Sequence, residues 1–178
     1  MPLTTVPLPY GLRDVKVAVL GAGDTPGTLV DFPNARTLSF SEAESFEELR
    51  GDDGVVAVHG NGPTVDWELE GGGFSFDAVK ALYGGTVTDT GTTPNQKRSF
   101  DKLDTDQRPY LKIEGQAISD SGGDFHVTLW KARATGELSG TLADAAFWLT
   151  SASGRAIAKA ADRKIYTITQ NETAAAIV

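Results

Sequence analysis

The 178-residue chain contains no cysteine and only two histidines, His59 and His126. Disulfides and thiolate metal sites are therefore excluded, and so few imidazoles argue against a dedicated zinc site. No apolar run approaches the roughly 20 residues that a membrane-spanning helix needs. The first residues also lack the basic and apolar regions of a secretion signal, so we expect a protein that is made in the cytosol and has no membrane partner.

Positive charge is also scarce, because 16 Lys and Arg residues stand against 24 Asp and Glu residues, for a formal net charge of −8. Attraction to DNA phosphates requires a basic surface, so this balance argues against nucleic-acid binding through phosphate contacts. An acidic surface can serve solubility alone, or it can keep a protein from sticking to nucleic acid. Composition does not choose between these two interpretations.

Glycine, in contrast, is abundant, with 20 residues that separate runs of alternating apolar and polar residues. This pattern is typical of an all-β domain. The clearest alternation covers residues 64–70, where Val65, Trp67 and Leu69 point to one side of a predicted strand. Three carboxylates then form a row on the other side: Asp66, Glu68 and Glu70.

The remaining pattern predicts further strands and one short helix. Ser75 is a suitable N-cap, Asp77 lies in the first turn, and an apolar stripe begins at Phe76 and ends before Gly84 and Gly85. Turns are expected at residues 51–54 and 60–63. Strands are expected at residues 14–20, 36–50, 55–59, 86–90, 97–102, 110–119, 125–134, 146–152 and 164–169. The predicted fold class is therefore mainly β with one short α-helix.

Three patterns suggest chemistry, and each has a better structural interpretation. The glycines at 21 and 23 follow an apolar strand, but Pro26 and Pro33 prevent the long helix that a dinucleotide-binding motif needs. Residues 120–123 resemble the nucleophile loop of chymotrypsin-like proteases, with His59 as an imagined partner, yet Asp-Ser-Gly-Gly between two strands is typical of a turn. The loop acids lack the pattern of a calcium site. We expect no enzyme, no catalytic or metal residues and no cofactor.

Several blocks of the sequence resemble the major tail protein family of long-tailed siphophages, particularly those that infect actinobacteria. They are RTLSF at 36–40 leading to ELRGDD at 48–53, GPTVDWEL at 62–69 before the predicted helix, VTLWKAR at 127–133, GRAI at 154–157 and ITQNETA at 168–174. The blocks span most of the chain. Their order, the single helix and the chain length carry the resemblance, since none of them is a catalytic signature.

The resemblance implies a β-sandwich or half-barrel of the tail-tube type with one short flanking α-helix. It implies a single domain over residues 1–178, with an N-terminal arm (about 1–13), an inter-ring loop (about 44–63) and a C-terminal arm (about 170–178). Six such subunits form a ring, and rings stack into a hollow tube with an acidic lumen, through which DNA passes without specific binding. The implied partners are other copies of the chain, a tape-measure protein, the tail tip or baseplate and a tail terminator. The implied location is the virion tail, with assembly in the host cytoplasm.

Two sets of residues follow as site candidates under this resemblance. Asp66, Glu68 and Glu70 are the candidates for lining the lumen, where their charge would let DNA slide; the alternative is that they face outer solvent. The segment 44–63 is the candidate for contact between rings, as a flexible loop that orders on assembly. Its charged candidates are Glu47, Glu48, Arg50, Asp52 and Asp53.

Another β-structural phage component stays open as an alternative function: a tail terminator, a head decoration protein or a tube-like secretion component. An indefinitely stacking subunit differs from a terminator because the terminator stops at one ring.

Overall fold

The computed structural model describes residues 6–177, and within this range the alternating runs of the sequence form ten strands and one α-helix. The strands are β1 (Pro9–Leu20), β2 (Pro26–Asp31), β3 (Ala35–Gly51), β4 (Gly54–Gly72), β5 (Thr86–Thr90), β6 (Lys97–Asp101), β7 (Leu111–Ser119), β8 (Asp124–Ala134), β9 (Leu149–Ala156) and β10 (Tyr166–Asn171). The helix is α1 (Phe76–Tyr83), and a short 3-10 turn (Ala22–Asp24) joins β1 to β2. The predicted fold class, mainly β with one short helix, is confirmed.

Eight of these strands pair into one antiparallel sheet, in which seven follow the order β2-β1-β7-β8-β9-β4-β3 and β10 pairs with β8 beside them. Strand β8 has two partners on one side, because its first residues pair with β10 from Asp124 to Leu129 and its last with β9 from Ala132 to Ala134. Strands β5 and β6 form a separate hairpin. The sheet therefore ends at β2 and β3, and β10, which pairs only with β8 within the described residues, has a free edge as well.

The sheet curls so that β3, at one end, faces β7 and β10 across the core. A Cβ atom added to Gly115 on β7 would collide with the side chain of Leu38 on β3. Phe40 on β3 also stacks against Tyr166 on β10, with ring centroids 5.7 Å apart. The apolar side chains of β1, β4, β7, β8 and β9 fill the space between, so the core lies inside the curled sheet.

Helix α1 begins and ends where the sequence predicts. The Ser75 hydroxyl accepts a hydrogen bond from the Ala78 amide (3.3 Å), and Gly84 ends the helix at a φ of 75° that favours glycine. In its apolar stripe, Val79 and Leu82 are fully buried against the sheet, while Phe76 at the start is half-buried. Because eight residues are too few for a stable isolated helix, this packing is what holds α1 in place.

Several sequence expectations are corrected. Residues 60–63 are not a turn but part of β4, where Gly62 adopts a φ of 86° and the register shifts between Glu44 and Phe46, as in a β-bulge. Turn and bulge use the same residue types, which explains the error. Strand β2 was not predicted, and β9 lies three residues later than expected at its start.

The two terminal segments pair or pack with the domain where the structure describes them. Residues 9–13 of the expected N-terminal arm belong to β1, whose Pro9 pairs with Ser119. Residues 1–5 of that arm, and Val178 of the C-terminal arm, lie outside the described residues. In the C-terminal arm, residues 170–171 belong to β10 and Ile177 is buried.

Candidate functional site

The predicted row of carboxylates lies on the outer face of β4. Asp66 and Glu68 are exposed and Glu70 is half-buried, and all three alternate with buried neighbours, as the sequence predicts. We call this outer surface of β3, β4 and β9 the polar face. Its residues beside the carboxylates are mostly small and hydroxylated: Thr37, Ser39 and Ser41 on β3, and Ser151 and Ser153 on β9.

Only part of the negative charge in this row is neutralised. The Arg155 guanidinium donates to both oxygens of Asp66, at 2.8 and 3.4 Å, and this hydrogen bond holds the pKa of the Asp66 carboxyl below its usual value. The Arg36 guanidinium forms an ion pair with the Glu70 carboxylate at 3.5 Å. Glu68 forms no ion pair with any residue between 6 and 177. The polar face therefore presents a free carboxylate between two partly compensated ones.

The candidate contact segment is a projecting β-hairpin. Residues 44–51 of β3 pair with residues 54–63 of β4, with Phe46 opposite Gly60 and Gly51 opposite Gly54 at the tip. We call this part, residues 44–63, the distal hairpin. The residue pattern predicted strands at 36–50 and 55–59 around a turn, whereas the resemblance led us to expect a flexible loop over 44–63. The structure shows a paired hairpin, because the pairing of β3 and β4 continues out to Gly51 and Gly54.

The charged candidates occupy the length and the tip of the distal hairpin. Glu47 lies opposite His59, and Glu48 forms a 2.8 Å ion pair with Arg50 on the same strand. Asp52 and Asp53 form the turn at the tip. All five are exposed, so each charge is available to a partner, and the Glu48–Arg50 pair contributes little to stability because it is solvated.

Sequence reasoning missed the apolar side chains of the distal hairpin. Five large ones are exposed by between 49% and 69%: Phe46, Leu49, Val55, Val56 and Val58. So many exposed apolar residues in one short element are typical of an interaction surface rather than of a solvated loop. The sequence did contain a signal for this surface. The run Val-Val-Ala-Val at 55–58 follows a turn and has no polar residue that would mark a face turned to solvent.

A buried carboxylate anchors the C-terminal segment to the sheet. Asp124 is completely buried and accepts hydrogen bonds from Gln116 (2.6 Å), His126 (3.0 Å), Asn171 (2.8 Å) and the Ala175 amide (2.8 Å). Desolvation raises the pKa of Asp124, but these four donors together outweigh it and hold the pKa well below its usual range. Asp124 is therefore ionised in the fold.

His126 lies between two carboxylates of this network. Its Nε2 faces Asp124 and its Nδ1 faces Glu114 at 3.2 Å, while Lys112 pairs with Glu114 at 2.6 Å. Burial lowers the pKa of His126, but the two carboxylates raise it more, so the net shift is upward. A protonated imidazole can donate to both neighbours, whereas a neutral one can donate to only one. The network joins β7 and β8 to the C-terminal segment and so supports the fold.

The structure does not assemble the protease-like arrangement. The Ser121 hydroxyl contacts Ser119 at 2.8 Å in the turn between β7 and β8, while His59 lies on the distal hairpin. In the described part of the chain, no hydrogen bond joins His59 to Ser121. Nor does any group of three or more His, Asp or Glu side chains there have an arrangement that could hold a metal ion.

Among residues 6–177 there is no helix with the length and hydropathy to cross a membrane. The sequence matches no known protein-family model and no curated protein. The functional interpretation therefore depends on the surfaces described above and on the resemblance carried by the sequence blocks.

Proposed function

We propose that this chain is the subunit of a phage tail tube, which forms hexameric rings that stack into a hollow tube for the passage of DNA. The observation that carries the proposal is the distal hairpin, a paired element that projects from the core and exposes five large apolar side chains. A solitary protein gains nothing from such exposure, whereas a stacked subunit buries it against the next ring.

The polar face supports the same function. It is open, rich in hydroxyl groups and carries the free carboxylate of Glu68 between Asp66 and Glu70. In a tube these residues line the lumen, where like charge prevents DNA from adhering to the wall. The net charge of −8 also repels DNA phosphates.

The sheet edges provide the means of closing a ring. Strands β2 and β3 are the two ends of the main sheet, and an open edge offers unpaired backbone groups to another strand. Joining edges around a ring removes this liability, so that the assembled state is the one in which the edges are satisfied. Tape-measure protein, tail tip and tail terminator are the further partners that this function requires.

Negative-stain electron microscopy of the purified protein at high concentration tests the proposal. Stacked rings or tubes with a central channel are the expected result. Single rings that never stack would favour a tail terminator instead. Dispersed monomers under all conditions, including after addition of tail-tip proteins, would contradict the tube function.

A structure of the assembled ring tests the lumen assignment separately. The carboxylates of Asp66, Glu68 and Glu70 are expected to point into the channel. If they point to the outside of the ring, the lumen assignment is wrong even though the tube function stands.

A further inference from the structure

The loop between β8 and β9 presents an aromatic side chain to solvent. Phe147 is 94% exposed and Leu142 is 88% exposed, the two highest values among the large apolar residues of the described range. The turn at residues 144–145 lies between them, with Asp144 also exposed. Transfer of a phenylalanine side chain from water into an apolar interface is favourable, so burial of Phe147 in an interface would stabilise an assembly.

The base of this loop is firmly held, in contrast to its tip. The Tyr83 hydroxyl at the end of α1 contacts the carbonyls of Glu137 (3.3 Å) and Ser151 (3.1 Å) on the two sides of the loop. Arg108 donates to the carbonyl of Gly136 at 2.6 Å, and Trp148 stacks on Phe74 with centroids 4.7 Å apart. The fold therefore holds both ends of the loop in place.

The same chain carries an apolar groove elsewhere on its surface. It has a volume of about 430 Å³ and lies between α1 and the β1–β2 pair, with Val19, Val30, Ala81 and Pro109 in its walls. Two charged residues stand at its rim. Asp77 is paired with Arg98 at 2.9 Å, whereas Lys80 is exposed and forms no ion pair within residues 6–177. Asp144, three residues before Phe147, likewise has no cationic partner in the described chain.

We propose that the tip of the β8–β9 loop, with Phe147 and Leu142, inserts into the α1 groove of a second copy of this chain, with Asp144 pairing with Lys80. The occupant is a second copy because the loop tip and the groove are both apolar, and the unpaired charges beside them, Asp144 and Lys80, are opposite. This inference deepens the proposed function and rests on it in one respect, which is that the second copy is the neighbouring subunit of a ring.

A contact between two different surfaces of the same chain has a defined consequence for assembly. Such heterologous contacts repeat from subunit to subunit and produce either a closed ring or an open helical filament. The distal hairpin would then hold rings together along the tube, while the loop and groove hold subunits together within a ring. The two contacts are separable by mutation because they involve different residues.

The absence of native cysteine permits a direct test by site-specific cross-linking. One chain carries Ala146→Cys, next to Phe147 in the loop, and a second chain carries Gln107→Cys, in the wall of the groove. The two chains are mixed under assembly conditions and treated with a short thiol-specific cross-linker. A chain with Ala161→Cys, at another exposed position, replaces the groove variant in the matched control.

A cross-linked dimer of the two variants, well above the control, is the expected result. Phe147→Ala is expected to weaken the association about tenfold or more, from the loss of an aromatic side chain at the contact. Asp144→Lys should reduce cross-linking, and Lys80→Glu in the partner should restore it. Because these residues are exposed, the variants are expected to fold normally.

Cross-linking no higher than in the control would overturn the inference. A chain that carries both Ala146→Cys and Gln107→Cys is treated in parallel, and a link that forms only within that chain would also overturn the inference, because the loop would then cover its own groove. Electron microscopy of the same samples separates the two proposals: rings without this cross-link refute the contact alone, and neither rings nor cross-link refutes both. The cross-link without rings would establish the contact between copies and count against the tube.

Discussion

The two parts of the β3–β4 pair share one backbone arrangement but differ in what their side chains contact. In the part nearest the core, Val65, Trp67 and Leu69 are exposed by 3% or less. In the distal hairpin, beyond Glu44, the large apolar side chains remain about half or more exposed. Hydrophobic stabilisation follows the area removed from water, so the first part stabilises the subunit, and the second can stabilise only an assembly.

The largest expected effect comes from breaking the packed part. Leu69→Ala removes a fully buried side chain and is expected to lower the free energy of unfolding by about 2–5 kcal/mol. Val56→Ala in the distal hairpin is the matched control, and because Val56 is 69% exposed its effect should stay within about 0.5 kcal/mol. Urea unfolding of both variants makes the comparison, and equal losses would contradict it.

A second variant tests the buried charge that accompanies this packing. Asp124→Asn weakens an acceptor that four donors share, and it is expected to cost about 1–3 kcal/mol of stability. The C-terminal segment should loosen at the same time, which hydrogen exchange at Ala175 would detect. An unchanged exchange rate at Ala175 would show that the segment is held by other contacts.

The pH dependence of stability offers a smaller effect from the same network. Because the pKa of Asp124 is lowered in the fold, its contribution is present above about pH 4 and is lost as the pH falls through the lowered value. Because the pKa of His126 is raised, its contribution is present below about pH 6.5 and is lost as the pH rises through the raised value. Thermal unfolding between pH 5 and 9 should therefore show a decline on the alkaline side.

Replacement of the titrating group checks that decline. His126→Gln removes the imidazole that titrates, and it is expected to flatten the alkaline part of the plot of stability against pH. If the decline persists unchanged in this variant, another group is responsible for it.

The smallest expected effect on stability belongs to the polar face. Glu68→Gln should leave the unfolding transition unchanged, because Glu68 is exposed and has no ion-pair partner in the described chain. Glu68→Lys should likewise leave folding intact but should make assembled tubes retain DNA in a salt-sensitive manner. Retention is measured by co-sedimentation, and its absence at low salt would remove support for the lumen assignment.

The elements that sequence reasoning predicted well are those with a strong local signal. The alternation around Trp67 and the Ser75 cap each depend on neighbours within a few residues, and both are confirmed. The register shift between β3 and β4 near Gly62 was missed because a bulge and a turn require the same residue types. Local pattern therefore predicted the class of the fold but not the length of the distal hairpin.

The contacts that were missed join residues far apart in the chain. Asp124 meets Ala175 across 51 positions, and Tyr83 meets Ser151 across 68. No periodicity in either segment encodes such a meeting, because it depends on the order of strands in the sheet. The exposed face of the distal hairpin was missed for a related reason, since an apolar run predicts burial until the structure shows that no core reaches it.

Removal of the distal hairpin tip tests the central claim most directly. A variant in which residues 47–58 are replaced by a short Gly-containing turn is compared with the wild type by thermal unfolding and by electron microscopy at equal concentration. The account predicts an unfolding transition within a few degrees of the wild type, together with a complete loss of stacked rings. Tubes that still form, or a variant that no longer folds, would contradict the division between a packed part that stabilises the subunit and a distal hairpin that serves assembly.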